Sequence, residues 1–379
     1  MSDARPVSVI SWRRIKAMVI KEFIQLTRDR ASFAMIVLMP LLQLLLFGYA
    51  INSTPRDLPT AVLLQENSDL GRRILKAIEN TKYFKVVRVL HNDDEFDRVL
   101  ASGEVLFAIE IPRDFERALR RGDRPAILVA ADATDPVATG APLGALGALV
   151  QSALVHERGL PEGGSPLFEF RTHARYNPAG VTSLNIVPGL VGIILTMTLL
   201  VFTALSVTRE IERGTMENLL SMPVTPVEVM IGKIAPYVIV GFVQATLIIG
   251  VGVFLFGVPI FGSVPLLAFL STLFIAANLA VGYTISTIAQ TQLQAMQMSM
   301  MFLLPSMLLS GFMFPFAGMP VWAQWVGECM PLTHYLRIVR SIMLKGLTLS
   351  ELQHDALALA GLMLLVMMIA VSRFRRTLD

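Results

Sequence analysis

Charge is scarce in this sequence, and long stretches have none. Asp, Glu, Lys and Arg make up 16% of the 379 residues, against about 25% in an ordinary soluble domain. Ser32–Ile51, Leu184–Val207, Ala235–Phe256, Val264–Ala289, Ala295–Phe314 and Ala356–Ser372 contain no Asp, Glu, Lys or Arg. A hydrocarbon core about 30 Å thick needs about 20 apolar helical residues, so a soluble globular chain is excluded. The runs are continuous rather than alternating, which argues against a β-barrel. Charge missing from the runs also argues against a proton-coupled carrier, because intramembrane ionisable groups are costly and are kept for use. Cysteine is nearly absent too. Cys329 stands alone, so an intrachain disulfide is impossible, and no Cys/His spacing resembles a zinc site. It reads as a small, semi-buried residue. There is no GxxxxGK[ST] loop, no GxGxxG and no nucleophile elbow. If the chain does work on a solute, the energy arrives from a partner. A net charge of +3 and a pI of 9.1 do not point to nucleic acid, since the cations cluster beside membrane runs.

What is present follows a definite order. Residues 1–31 are basic, and Trp12, Ile15, Val19, Phe23 and Leu26 repeat at helical spacing beside Arg13 and Arg14. That pattern predicts an amphipathic helix in the headgroup region. Ser32–Ile51 reads as the first span. A cleaved signal peptide is the alternative, but the preceding polar region is too long and too amphipathic.

Residues 52–180 have soluble composition. Strands are expected at Thr60–Leu64, Phe84–Leu90, Val105–Ile111, Ala126–Ala131 and Phe168–Arg175. Helices are expected at Asp69–Asn80 after the capping residue Ser68, then at Asp93–Ala101, Arg113–Arg121 and Gly140–His156. This alternation predicts a small α/β domain with a largely parallel or mixed sheet. Asp132, Asp135, His156 and His173 read as solvated surface or turn residues.

The five later runs complete a predicted six-span protein. The fold class is thus an α-helical integral membrane protein with an interfacial N-terminal helix and an external α/β domain inserted between the first and second spans. It also has a re-entrant segment. Ser310, Gly311, Phe312, Pro315 and Pro320, then Trp322 and Trp325, form an apolar stretch rich in Pro, Gly and aromatics. Lys and Arg near the span ends number seven in the N-terminal flank, three in Thr208–Lys233 and three in the tail. The positive-inside rule therefore puts these segments in the cytoplasm and the α/β domain outside. Arg337, Arg340 and Lys345 fall outside on this count, and Arg337 or Arg340 reads as a pore-mouth or headgroup residue.

Between two apolar runs lies the polar island Thr208–Lys233. Arg209, Glu210, Glu212, Arg213 and Glu217 place both signs within about two helical turns. Gly214 breaks the pattern, and Thr215 caps a short helix with Met216, Leu219 and Leu220 on its apolar face. Pro223 ends that helix, and Thr225-Pro226 opens the next. Such a surface suits docking into another protein's groove.

Glu210-Ile211-Glu212-Arg213-Gly214-Thr215-Met216-Glu217-Asn218-Leu219-Leu220, followed by Pro223-Val224 and Gly232-Lys233, resembles the permease subunits of type-2 ABC exporters. Asn177-Pro178 leading to Val187-Pro188-Gly189, and Ser310-Gly311-Phe312 with Pro315 and Met319-Pro320, extend the resemblance over nearly the whole chain. It implies that Glu210, Glu212, Arg213, Gly214, Thr215, Glu217 and Leu220 contact a separate ATPase subunit, flanked by the N-terminal helix. It implies two permease chains, identical or paralogous, in a bacterial inner membrane. ATP and Mg would sit on the partner subunit, with no cofactor bound by this chain. The external domain fits the multidrug or efflux subgroup, and a periplasmic adaptor could dock on it. The rival expectation is a membrane-anchored binding or assembly protein acting through its external domain.

Overall fold

The computed structural model describes residues 55–66, 68–152, 167–214 and 226–376. The expected interfacial helix with Trp12, Arg13, Arg14, Ile15, Val19 and Phe23, and the expected first span, lie outside these residues. So do Thr215, Glu217 and Leu220.

The first half is a five-stranded sheet with its helices. In chain order these are β1 (Leu58–Leu64), α1 (Asp69–Asn80), β2 (Phe84–Leu90), α2 (Asp93–Ala101), β3 (Phe107–Ile111), α3 (Phe115–Arg121), β4 (Ala126–Asp132), α4 (Pro136–Ser152) and β5 (Glu169–Arg175). Local chemistry sets these boundaries. Ser68 Oγ accepts the Gly71 N–H and opens α1, whose Leu70, Ile74 and Ile78 recur on the buried face. Asn92 caps α2 by accepting the Glu95 N–H at 2.8 Å, and three carboxylates follow in the first turn. Gly122, at φ +81°, ends α3 in the left-handed region.

The sheet order is β2-β1-β3-β4-β5. It is mixed: β1 runs parallel to β2 and β3, β4 parallel to β5, and β3 antiparallel to β4. Both faces are buried. Leu58, Val62, Phe107 and Ile109 pack with Ile74 and Phe84 on one side. Ala61, Leu63 and Ala108, the alternate positions, pack with Phe96, Val99 and Leu100 on the other.

The second half is helical: α5 (Thr182–Glu212), α6 (Pro226–Phe256), α7 (Val264–Ile288), α8 (Gln292–Leu309), α9 (Val321–Glu328), α10 (Pro331–Arg340) and α11 (Leu349–Arg376). Among the described residues, four helical segments are long and apolar enough to cross a membrane: Thr182–Glu210, Pro236–Phe256, Val264–Ser286 and Leu349–Ala370. The core joins α5, α7, α10 and α11. Tyr335 of α10 stacks on Phe274 of α7 at 4.0 Å, and its hydroxyl meets Ser271 Oγ at 2.8 Å.

Several helix boundaries differ from the apolar runs, and those of α11 and α8 have local causes. The last helix begins at Leu349 rather than Ala356, so Glu351 and Asp355 belong to it. Thr348 and Glu351 explain this: the Thr348 N–H and hydroxyl both donate to Glu351 Oε2 at 2.8 Å, one half of a capping box. α8 begins at Gln292 and ends at Leu309, because Thr291 caps its start and Gly311, at φ +85°, turns the chain away.

Candidate functional site

Three groups of polar residues stand out in the helical half. The first is the C-terminal end of α5. This helix has 31 residues, about 46 Å at 1.5 Å per residue. It starts beside the sheet, and its far end carries Glu210 and Glu212, followed by Arg213 and Gly214. Gly214, where the sequence pattern breaks, has φ +67°, a left-handed turn at the end of the charged helix. Glu212 Oε2 accepts both the backbone N–H and the side-chain Nε2–H of Gln292 at 3.0 Å. Those two donors hold the Glu212 carboxyl below the ordinary carboxylate range. Arg209 Nε donates to Gln292 Oε1 at 3.4 Å. The α5 terminus is thereby tied to the α8 N-terminus. Gln292 was not singled out from sequence, although Thr291 is a legible cap for its helix: Thr291 Oγ1 accepts the Gln294 N–H at 3.2 Å, and the preceding Gln290 N–H donates to Gln294 Oε1 at 3.0 Å.

The second station is the stretch after α8 that the sequence expected to be re-entrant. After Gly311 the chain makes a 3-10 turn at Phe316–Gly318, then α9 and α10. These helices have 8 and 10 residues, about 12 and 15 Å long, so neither crosses a bilayer. Ser310 Oγ donates to the Met307 carbonyl, Gly311 O accepts from Arg340 Nη1 at 3.3 Å, and Pro320 precedes α9 as its N-cap residue. Phe312 lies against α5 at Gly189, where a Cβ would stand 2.4 Å from its ring. Pro188-Gly189 therefore serves a close helix approach. Cys329, expected to be semi-buried, is exposed at the end of α9 because it caps the helix on its open side.

The helices here hold charges that the apolar runs concealed. His334 is buried, with Nδ1 2.9 Å from Asp355 Oδ1 and Nε2 2.9 Å from the Glu328 carbonyl. Both partners accept when Asp355 is ionised, so the ring carries a proton on each nitrogen. Arg337 Nη2 donates to Glu328 Oε1 at 2.6 Å, and its Nη1 to Asp355 Oδ1 at 3.3 Å. Its guanidinium lies 4.5 Å from the Phe316 ring centroid. Arg337 is thus an ion-paired structural residue rather than an open pore-mouth cation.

The third station joins the sheet to the bundle. Lys345 ends a π-helical turn, Ser341–Lys345, and its Nζ donates to Asp132 Oδ2 at 2.6 Å. The two side chains are 6% and 4% exposed. Asp132 is therefore a buried ion-pair partner, not the solvated residue its sequence suggested, because the helical half covers it. Asp135 does perform the expected turn chemistry, accepting the Val137 N–H at 3.0 Å. His173 is exposed, and His156 lies outside the described residues. Among the described residues, no group of three His, Cys, Asp or Glu side chains could hold a metal ion.

Comparison with known proteins gives a consistent pattern. The model of a family described as "ABC-2 family transporter protein" matches residues 30–372. The chain is 33% identical over 342 residues to the probable multidrug ABC transporter permease YbhS of Escherichia coli, covering 89% of this chain and 90% of that one. It is 30% identical to the inner membrane transport permease YhhJ of the same organism, covering 97% and 98%. ABC transporter G family member 20 of Dictyostelium discoideum is 22% identical over 87% of this chain and 46% of its own length.

Proposed function

The chain belongs to the ABC-2 transporter family as a membrane permease without an ATPase of its own, and from that premise we propose that it is the export permease of a drug, lipid or similar amphiphile. A separate ATPase subunit binds ATP and Mg and supplies the energy. Two permease chains, identical or paralogous, frame the path. Six spans, near residues 32–51, 184–207, 235–256, 264–289, 295–314 and 356–372, cross the bacterial inner membrane, with both termini in the cytoplasm. Residues 52–180 form the external domain, available to a periplasmic adaptor.

One observation carries this reading. A single helix, α5, runs from the sheet to the Glu-Arg-Gly block about 46 Å away, and Glu212 there is bonded to the start of α8. A partner pressing on residues 210–220 would therefore push on two helices at once. The names of YbhS and YhhJ, which refer to multidrug transport and to the inner membrane, support the substrate class and the location.

The test is co-purification with the cognate ATPase. Glu212→Lys combined with Glu217→Lys should abolish that association whether or not solute is present. Survival of binding after the double change removes Thr208–Lys233 from the docking role. A complex that hydrolyses ATP but never moves any of a panel of drugs and lipids would favour the rival role in binding or assembly.

A further inference from the structure

A lysine fastens the sheet half to the helical half. Lys345 Nζ contacts Asp132 and also the carbonyls of Leu100 and Ala101, each at 3.4 Å. These carbonyls end α2, where unsatisfied C=O groups carry partial negative charge. The Tyr176 ring lies 5.3 Å from the same ammonium. Lys345 thus sits in a built socket on the sheet half.

Five residues earlier, Arg340 is in a different condition. Its Nη1 donates to Gly311 O, but its buried Nε and Nη2 have no hydrogen-bond partner. That edge is the one on which a guanidinium takes a carboxylate as a two-pronged fork. Asp135 makes no ion pair with it within 4 Å and is bonded instead to the Val137 and Ala138 N–H groups and to Asn185 Nδ2 at 3.4 Å. The buried Asn185 Oδ1 is likewise unpartnered. Burial raises the Asp135 carboxyl above the ordinary range, and the Arg340 charge is the largest pull in the other direction.

Spacing makes the arrangement a pair of rungs. Asp132 ends β4, and Asp135 lies three residues on, just before α4. In an α-helix five residues would turn about 140° away from the start, separating Arg340 from Lys345. The wider π turn, closed by i→i+5 bonds, brings them closer to one face.

We propose that Lys345 and Arg340 are positioning residues for transport that hold the sheet half at two settings. Lys345–Asp132 is the rung engaged in this structure. Arg340–Asp135 is the rung gained when the sheet half tilts during the ATP-driven cycle. The second rung rests on the export reading; the first does not.

Two measurements on the full chain with its cognate ATPase, in membrane vesicles, separate these parts. Hydrogen exchange at residues 98–103 reads the engaged rung without transport. Lys345→Met should raise exchange there by about tenfold, and Asp135→Asn should leave it unchanged. Wild-type exchange in Lys345→Met overturns the first rung. For the second, a Cys329→Ser background carries Asp135→Cys with Arg340→Cys. A short bis-thiosulfonate reagent should bridge this pair about threefold better with ATP and vanadate than without nucleotide. The bridged protein should hydrolyse ATP but move no solute. Equal bridging in both states overturns the second rung.

Arg340→Lys guards against a folding failure of the cysteine pair. It keeps the buried charge but loses the fork, so wild-type exchange with reduced transport supports the second rung, whereas full transport overturns it. If Lys345→Met shows the exchange response yet the wild-type chain never moves solute under ATP, the export reading fails with the second rung and the first stands.

Discussion

Replacing Asp355 with alanine tests whether the charged network around His334 holds α9, α10 and α11 together. The carboxylate takes two contacts, from His334 Nδ1 at 2.9 Å and Arg337 Nη1 at 3.3 Å. His334 is 3% exposed and Asp355 16%, so the imidazolium N–H would be stranded with little water to replace its partner. Stranding a buried donor costs about 1–3 kcal/mol. Arg337 keeps Glu328 and is one-third open to solvent, so its share is about 1 kcal/mol, the upper end for such a pair. The expected loss is about 2–4 kcal/mol. Detergent-solubilised membrane proteins often unfold irreversibly, so the useful assay is the half-life of the folded state at a fixed elevated temperature. If half of the loss falls on the unfolding barrier, that half-life shortens by about 5- to 30-fold. Asp355→Asn retains an acceptor for His334 and should do less damage. A half-life for Asp355→Ala within twofold of wild type, or equal damage from Asn and Ala, would refute this reasoning.

Three further outcomes follow from the geometry. Burial raises the Asp135 carboxyl in the folded chain above its unfolded value, so the folded state holds that proton more tightly; the resulting stabilisation is present at low pH and is lost as pH rises through the folded value. Asp135→Asn should therefore be neutral or stabilising at pH 7, with the advantage shrinking on acidification, as read by thermal half-life across pH. Gly282→Ala puts a Cβ 2.7 Å from the Leu200 carbonyl and 3.0 Å from Thr203 Cβ, which should cost about 1–3 kcal/mol as α5 and α7 separate; Gly361→Ala, where a Cβ meets nothing, should gain about 0.5–1 kcal/mol by the same assay. Gln292→Ala removes both donors to Glu212 at an exposed position, so thermal half-life should stay within about twofold while solute-stimulated ATP hydrolysis falls.

The sheet half was legible wherever punctuation was local. Ser68, Asn92 and Gly122 each fix a helix end through one side chain or one backbone conformation, and the alternating apolar residues of β3 disclose its two faces. The helical half was legible in its middles and not at its ends. An apolar run stops where charge begins, whereas α11 continues through Glu351 and Asp355 because Thr348 caps it earlier. Capping chemistry at Thr291 and Thr348 would have corrected both starts. The Lys345–Asp132 pair had no local signal at all: its members lie 213 residues apart, and each alone reads as ordinary surface charge. Trp12, Phe23, Thr215, Glu217 and Leu220 lie outside the described residues, so neither the interfacial helix nor the far half of the docking stretch enters this comparison.

The length of α5 has a mechanical consequence. Its first turns lie at the sheet joint through Asn185, and its last turn is tied to α8 through Gln292. A rigid rod of about 46 Å converts a 5° rotation at one end into roughly 4 Å of travel at the other. That travel is enough to break a hydrogen bond or to close the gap between a carboxylate and a guanidinium. A nudge at Glu212 need not be relayed through a chain of side chains. Displacement at one end of such a rod would reach the other end directly, with α7 packed close against its middle at Gly282.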